Sequence, residues 1–354
     1  MLDFTGVKTS TPTREMSQLS ADLGLLTASI DRGVSYSRSL DDRCTAVLLV
    51  DRITKLVCRI TSFEPSELPI SVSRNLSQSA VAILDFLKSP PKSFSEIQGP
   101  AAKLLRDSKR ELESFLRRVE DFYYELIEPV RRSILSGSFS HDKLAERVLS
   151  LTDQSITART IGRFSAHRWY DDADIFLDLL FDIPSVGARE TVVSEYGGLI
   201  HETPTRLVLQ RIAAGDITSN DVFVDLGTRR GLLPIEVHLF SKAKTIGIEQ
   251  DPSPLEIGRK IKREFNLESV ELVEGDVCDF DYSSGTVFMM FNPFEDTPWV
   301  LEEVLEHLRS QAEVRQIRIW SLGACTHSLS KVEWLKCEVR DPSKMWITEF
   351  RAGS

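Results

Sequence analysis

Residues 222–231 read Val-Phe-Val-Asp-Leu-Gly-Thr-Arg-Arg-Gly. A short run of β-branched and aromatic residues ends in an acid, Asp225, and a glycine turn then opens into a second apolar run at 232–240. A strand, a glycine turn and a helix in that order open an α/β sheet whose ligands bind beyond the carboxyl ends of its strands. The glycine turn after Asp225 lets backbone N–H groups come close to a ligand where a side chain would collide. Pro234 is tolerable because the first turn of a helix does not use its missing N–H.

The pattern repeats downstream. Residues 221–225, 244–248 (KTIGI), 270–274 (VELVE), 286–291 (TVFMMF) and 314–320 read as strands, and 253–265 and 298–310 as helices between them. The fourth strand is almost wholly apolar, as a central parallel strand covered on both faces should be. Two more strands, near 333–340 and 344–351, are separated only by Asp341-Pro342-Ser343. A link that short joins antiparallel neighbours, because a parallel crossover takes a dozen or more residues. The expected domain is therefore α/β, a Rossmann-like sheet of seven strands closed by an antiparallel hairpin.

The preceding half reads as helices: 13–30, 41–62, 76–88, 101–135 with a kink or break at Pro129, 141–151 and 170–182. The character changes after Pro184. The expected organisation is an all-helical domain over 1–185, a bundle or cap, and the sheet domain over 186–354. No repeat or low-complexity block interrupts either.

The formal charge of the 354 residues is −10, with most of the excess in the C-terminal half. Such a chain is a poor binder of duplex nucleic acid, which needs clustered Lys and Arg. The five cysteines form no CxxC pair, and no Cys/His set has zinc spacing, so no metal site is expected. No apolar run approaches the ~20 residues of a membrane helix, and the N-terminus lacks a signal pattern. A cytoplasmic protein is expected. Glu249 ends the second strand, where a carboxylate can accept both hydroxyls of a ribose. Asn292-Pro293-Phe294 follows the apolar fourth strand and should sit at the mouth of the site.

From about Tyr196 to the C-terminus, under half of its length, the chain resembles a class I S-adenosylmethionine-dependent methyltransferase. The resemblance rests on YGG…TP (Tyr196 to Pro204), VFVDLG (222–227), GIEQDPSPLEIG (247–258), EGD (274–276) and TVFMMFNPF (286–294). Within that class it is similar to uncharacterised bacterial methyltransferase-like proteins and, more distantly, to the Dot1-type lysine methyltransferases. The resemblance implies S-adenosyl-L-methionine as cofactor. It implies that Asp225, directly or through water, receives the cofactor's α-amino group, with Gly227, Thr228 and Gly231 forming the loop beneath the methionine end. Glu249 and Gln250 would serve the ribose, and Asp276 and Val277 the adenine. Tyr196 and Thr203 would lie in the segment that closes over the methionine end. Amino-methyltransferases often carry Asn-Pro-Pro-aromatic after the fourth strand, where the Asn oxygen orients the acceptor amine. Asn292, Pro293 and Phe294 are the corresponding catalytic candidates, and Asn292 would also face the cofactor.

The loop departs from the usual acid-x-Gly-x-Gly-x-Gly, because Arg229 stands where the middle glycine would be. If position 229 needs positive φ, arginine there costs roughly 1–2 kcal/mol. The sequence is compatible with two functions. One is a methyltransferase acting on a small molecule or a protein side chain, with the helical half covering the site, selecting substrate or forming a homodimer. The other is a methyltransferase-like interaction protein of weak or no activity. A nicotinamide-dependent oxidoreductase is disfavoured by the absent GxGxxG and the terminal hairpin.

Overall fold

The computed structural model describes residues 43–88, 98–152, 170–183, 192–193, 199–200, 202–292, 294, 297–338 and 347–353. The chain divides into two compact units, Met1–Pro129 and Val130–Ser354. The helix expected over 13–30 lies outside the described residues.

In the first unit, α1 (Arg43–Thr61), a 3-10 turn (Pro65–Glu67), α2 (Ile70–Lys88) and the leading part of α3 (Pro100–Leu135) share one apolar core. Ile53, Val57 and Ile60 meet Leu76, Ala80 and Ile83, and Leu112, Phe115 and Val119 close the cluster. Three- and four-residue spacing turns one stripe of each helix inward. Arg118 Nη2 donates to the carbonyls of Thr61 (3.0 Å) and Phe63 (3.3 Å), tying off the end of α1. α3 runs through Pro129 as one helix, so no break occurs there. One missing N–H leaves the rest of a long helical ladder intact.

In the second unit, β1 (Val222–Leu226), β2 (Lys244–Glu249), β3 (Val270–Glu274), β4 (Val287–Phe291), β5 (Ile317–Leu322), β6 (Lys336–Glu338) and β7 (Thr348–Ala352) form one sheet. Its strand order is 3-2-1-4-5-7-6. The first five strands are parallel, and β7 runs antiparallel to both β5 and β6. This is the class I methyltransferase sheet, with the expected antiparallel closure. β5 begins at Ile317 rather than 314, because 313–315 still close the end of the preceding helix: the N–H groups of Val314 and Arg315 both donate to the Gln311 carbonyl, at 3.1 Å. A separate antiparallel pair, Val192–Val193 with Leu199–Ile200, is too short to show a period in the sequence.

The helices of this unit are α4 (His141–Leu149), α5 (Asp172–Leu180), α6 (Thr205–Ala213), α7 (Leu232–Ser241), α8 (Pro252–Glu264), α9 (Pro298–Ala312) and α10 (Cys325–Leu329). α4 and α5, grouped with the helical half in the sequence reading, lie in the same unit as the sheet. α4 packs on α7, and His141 Nδ1 lies 3.0 Å from the Leu239 carbonyl. One face of the sheet buries Val224, Leu226, Ile248, Phe288, Met290 and Phe350. The other buries Phe223, Met289 and Trp320 against Leu207 and Val208 of α6 and Val237 of α7. On that second side Arg211 bridges Asp216 (3.1 Å), Glu349 (3.5 Å) and the Ile347 carbonyl (2.7 Å), while Trp320 Nε1 donates to Glu349 at 3.0 Å. These bonds fasten β7 to the sheet and to α6. Among the described residues no helix is long and apolar enough to cross a membrane.

Candidate active site

β1 lies between β2 and β4, and the chain winds away from it in both directions, so the strand order reverses at β1 and β4. Open α/β sheets bind ligands in the crevice outside the carboxyl ends at that point. Asp225 occupies it, aligned across the sheet with Gly247 and Met289. Its carboxyl is buried and its pKa is pushed up to about 7. Burial is the largest cause. The Thr228 hydroxyl opposes it, and the nearby charges of Glu249 and Glu202 add to it.

The loop after Asp225 is left-handed at three positions: Gly227 (φ 84°), Arg229 (φ 52°) and Gly231 (φ 71°). The N–H groups of Gly227 and Thr228 both donate to the Ile248 carbonyl, at 3.0 and 2.9 Å. Arg229 therefore does sit in the conformation that a glycine would accept without cost. Its own N–H donates to Glu249 Oε2 at 2.7 Å. Its guanidinium is half-buried, and desolvation holds its pKa below the ordinary arginine value. The loop packs directly on two glycines: a Cβ on Gly247 would lie 2.8 Å from Thr228, and one on Gly258 only 2.3 Å from the Arg230 carbonyl.

Glu249 closes β2 with its second oxygen accepting from the Asp251 N–H at 3.0 Å. Each oxygen keeps a further lone pair for a ligand. Gln250 is exposed beside it. Asp276 follows β3, is exposed, and accepts from the Cys278 N–H at 2.9 Å. Val277 is buried next to it, its carbonyl held by the Tyr282 hydroxyl at 2.8 Å. Acids thus stand at the carboxyl ends of three adjacent strands.

At β4 the structure changes the expected picture. Asn292 has φ 48°, and its side-chain oxygen accepts from the Cys325 N–H at 3.0 Å. It pins the turn after β5, where a Cβ on Gly323 would strike the Asn292 amide. Phe294 is half-buried against the apolar core. The Cys325 thiol faces the carbonyls of Leu322 (3.2 Å) and Met290 (3.4 Å), and burial raises its pKa. That environment does not make a nucleophile. Pro293 and Tyr196 lie outside the described residues.

Thr203 is buried, but it does not cap α6. The cap comes from across the fold: Asp174 Oδ1 accepts from the Thr205 N–H at 2.9 Å, and the Thr205 hydroxyl donates to Glu236 at 3.0 Å. This stitching holds the 202–206 segment beside the glycine loop. It also places two residues that the sequence reading passed over. Glu202 pairs with the Arg230 guanidinium, and its backbone carbonyl and N–H both bond the Tyr170 hydroxyl, at 3.0 and 3.1 Å. Glu202 lies within the HETP stretch next to Thr203, and Arg230 beside Arg229, but their partnership spans 28 positions and carries no local pattern.

No protein-family pattern and no curated protein matches the chain. Solved structures do show a likeness. An RNA methyltransferase from Salinibacter ruber, in complex with S-adenosyl-L-homocysteine, is 23% identical, with a TM-score of 0.34 over 43% of this chain and 92% of its own. An rRNA methylase from Streptococcus thermophilus is 12% identical, with a TM-score of 0.32 over 40% of this chain and 92% of its own. A precorrin-6y C5,15-methyltransferase from Geobacter metallireducens is 16% identical, with a TM-score of 0.32 over 43% of this chain and 90% of its own.

Proposed function

We propose that the sheet unit binds S-adenosyl-L-methionine and that the protein is a methyltransferase. The observation that carries this reading is the placement of Asp225, Glu249 and Asp276 at the carboxyl ends of β1, β2 and β3 in a sheet of order 3-2-1-4-5-7-6. The residues fit an adenosine cofactor with an amino-acid end. Glu249 has acceptor capacity for two ribose hydroxyls, Asp276 for an amine at the adenine edge, and Val277 offers an apolar surface. Asp225 and the exposed Gly227 would face the methionine end. When bound, the cofactor supplies a methyl group on a sulfonium, a good in-line electrophile. The chain's own part is alignment, which supplies much of the rate in such displacements. Asn292 holds the β4 and β5 turns together, and its oxygen keeps one lone pair with which to orient an acceptor N–H. This favours an N-methyltransferase on a small molecule or a protein side chain, in keeping with the Dot1-like and bacterial methyltransferase-like resemblance. A cytoplasmic location and a homodimer through the helical half complete the proposal.

The second reading is a methyltransferase-like interaction protein. The strained Arg229 and the two backbone N–H groups already on Glu249 favour it. Calorimetric titration with S-adenosylhomocysteine separates the two. Saturable binding that weakens at least tenfold in Glu249→Ala supports the cofactor role, as loss of charge-assisted hydrogen bonds requires. No heat of binding at millimolar ligand in folded protein would favour the interaction protein.

A further inference from the structure

Buried polar atoms in folded proteins almost always have partners, and the exceptions call for an explanation. Two such exceptions belong to one ion pair beside the glycine loop. The Arg230 and Glu202 side chains are only 7% and 10% exposed. Arg230 Nε donates to Glu202 Oε1, yet Arg230 Nη2 and Glu202 Oε2 have no hydrogen-bond partner among the described residues. A buried guanidinium N–H and a buried carboxylate oxygen each lose the full strength of a hydrogen bond to water if nothing replaces it. The pair is also held in place from outside. Tyr170 fixes the Glu202 backbone, Asp174 and Glu236 anchor Thr205, and Gly258 packs directly under the Arg230 carbonyl. Glu202 is close enough to Asp225 and Arg229 to act on the charge of both, which puts the pair at the end of β1.

An unsatisfied cationic donor beside an unsatisfied anionic acceptor is complementary to a zwitterion. We infer that Arg230 and Glu202 form the receptor for the α-amino-acid end of the cofactor, Arg230 Nη2 donating to its carboxylate and Glu202 Oε2 accepting from its ammonium. This rests on the cofactor reading above and adds to it Arg230, within the glycine loop, and Glu202, outside it. Arg230 occupies a variable position of the loop, next to the Arg229 that replaces the middle glycine, and a guanidinium recognises carboxylates with strong, directional hydrogen bonds.

The test pairs two ligands with two proteins. S-Adenosylhomocysteine carries the amino-acid end, and 5′-methylthioadenosine keeps the adenosine and sulfur without it. Arg230→Met is expected to weaken S-adenosylhomocysteine at least tenfold, as loss of a charge-assisted hydrogen bond implies, and to leave methylthioadenosine within about twofold. Because this variant removes a buried ion-pair partner and can fail to fold, the ligand is also altered on the wild-type protein. Decarboxylated S-adenosylhomocysteine, which retains the amine, is expected to bind at least tenfold more weakly than the parent. Equal wild-type affinity for the parent and decarboxylated ligands overturns the inference while leaving the cofactor reading standing. So does an Arg230→Met variant that is folded by circular dichroism and loses both nucleosides equally or neither. A wild-type protein that binds none of the three overturns both.

Discussion

Replacing Arg229 by glycine should stabilise the protein. Arginine at φ 52° carries about 1–2 kcal/mol of left-handed strain. Glycine removes that strain but returns roughly 0.5–1 kcal/mol through the greater freedom of the unfolded chain. The half-buried guanidinium adds no large opposing term, because desolvation outweighs its attraction to Glu202. The net gain is ~0.5–1 kcal/mol, which in a unit of this size raises the melting temperature by about 1–4 °C. Arg229→Ala is the control, since alanine deletes the same side chain and keeps the positive φ. The glycine variant is expected to melt above the alanine variant by scanning calorimetry. Its affinity for S-adenosylhomocysteine should stay within about threefold of wild type, because the bond to Glu249 comes from the backbone N–H of residue 229, which glycine retains. If both variants melt together below wild type, the arginine side chain rather than its backbone is what the loop depends on, and the strain account is wrong.

Two further outcomes follow from the same loop. Asp225 binds its proton up to about pH 7 in the folded state against 3.8 ordinarily, so between those values the folded chain holds a proton that the unfolded chain has released, and stability falls as pH rises. Asp225→Asn should therefore gain on wild type by on the order of 2 kcal/mol between pH 5 and pH 8 in denaturant titrations; an unchanged gap at the two pH values would contradict the shift. Gly258→Ala forces a Cβ to within 2.3 Å of the Arg230 carbonyl, a backbone atom that cannot swing aside. It should cost about 1–3 kcal/mol and weaken S-adenosylhomocysteine binding together; a variant with wild-type stability would show that the loop is not packed as described.

The sheet was legible because its signals are local. Val222–Val224 and Val287–Phe291 are continuous apolar runs, glycines mark the turn after Asp225, and the link around Asp341-Pro342-Ser343, although it spans 339–347 rather than three residues, is still shorter than a parallel crossover. The acids at strand ends could be named for the same reason, since a strand's end and its last carboxylate are read together. What escaped is long-range or torsional. Residue type at 229 posed the question of strain, but only the backbone answered it. The sequence offers both lone pairs of the Asn292 oxygen to a substrate, whereas the Cys325 N–H, 33 positions away, occupies one of them. The Glu202–Arg230 pair and the capping of α6 by Asp174 join segments that no periodicity connects. The small antiparallel pair at 192–193 and 199–200 is shorter than any repeat a pattern could reveal.

The central claim is that the crevice beyond β1, β2 and β3 holds an adenosine cofactor. Crystals soaked with S-adenosylhomocysteine test it most directly. The account predicts density for the ligand across those strand ends, with the ribose hydroxyls on Glu249, the adenine edge at Asp276 and the amino-acid end toward Glu202 and Arg230. A crevice left empty at saturating ligand, or filled by Arg229 and Phe294, would contradict it.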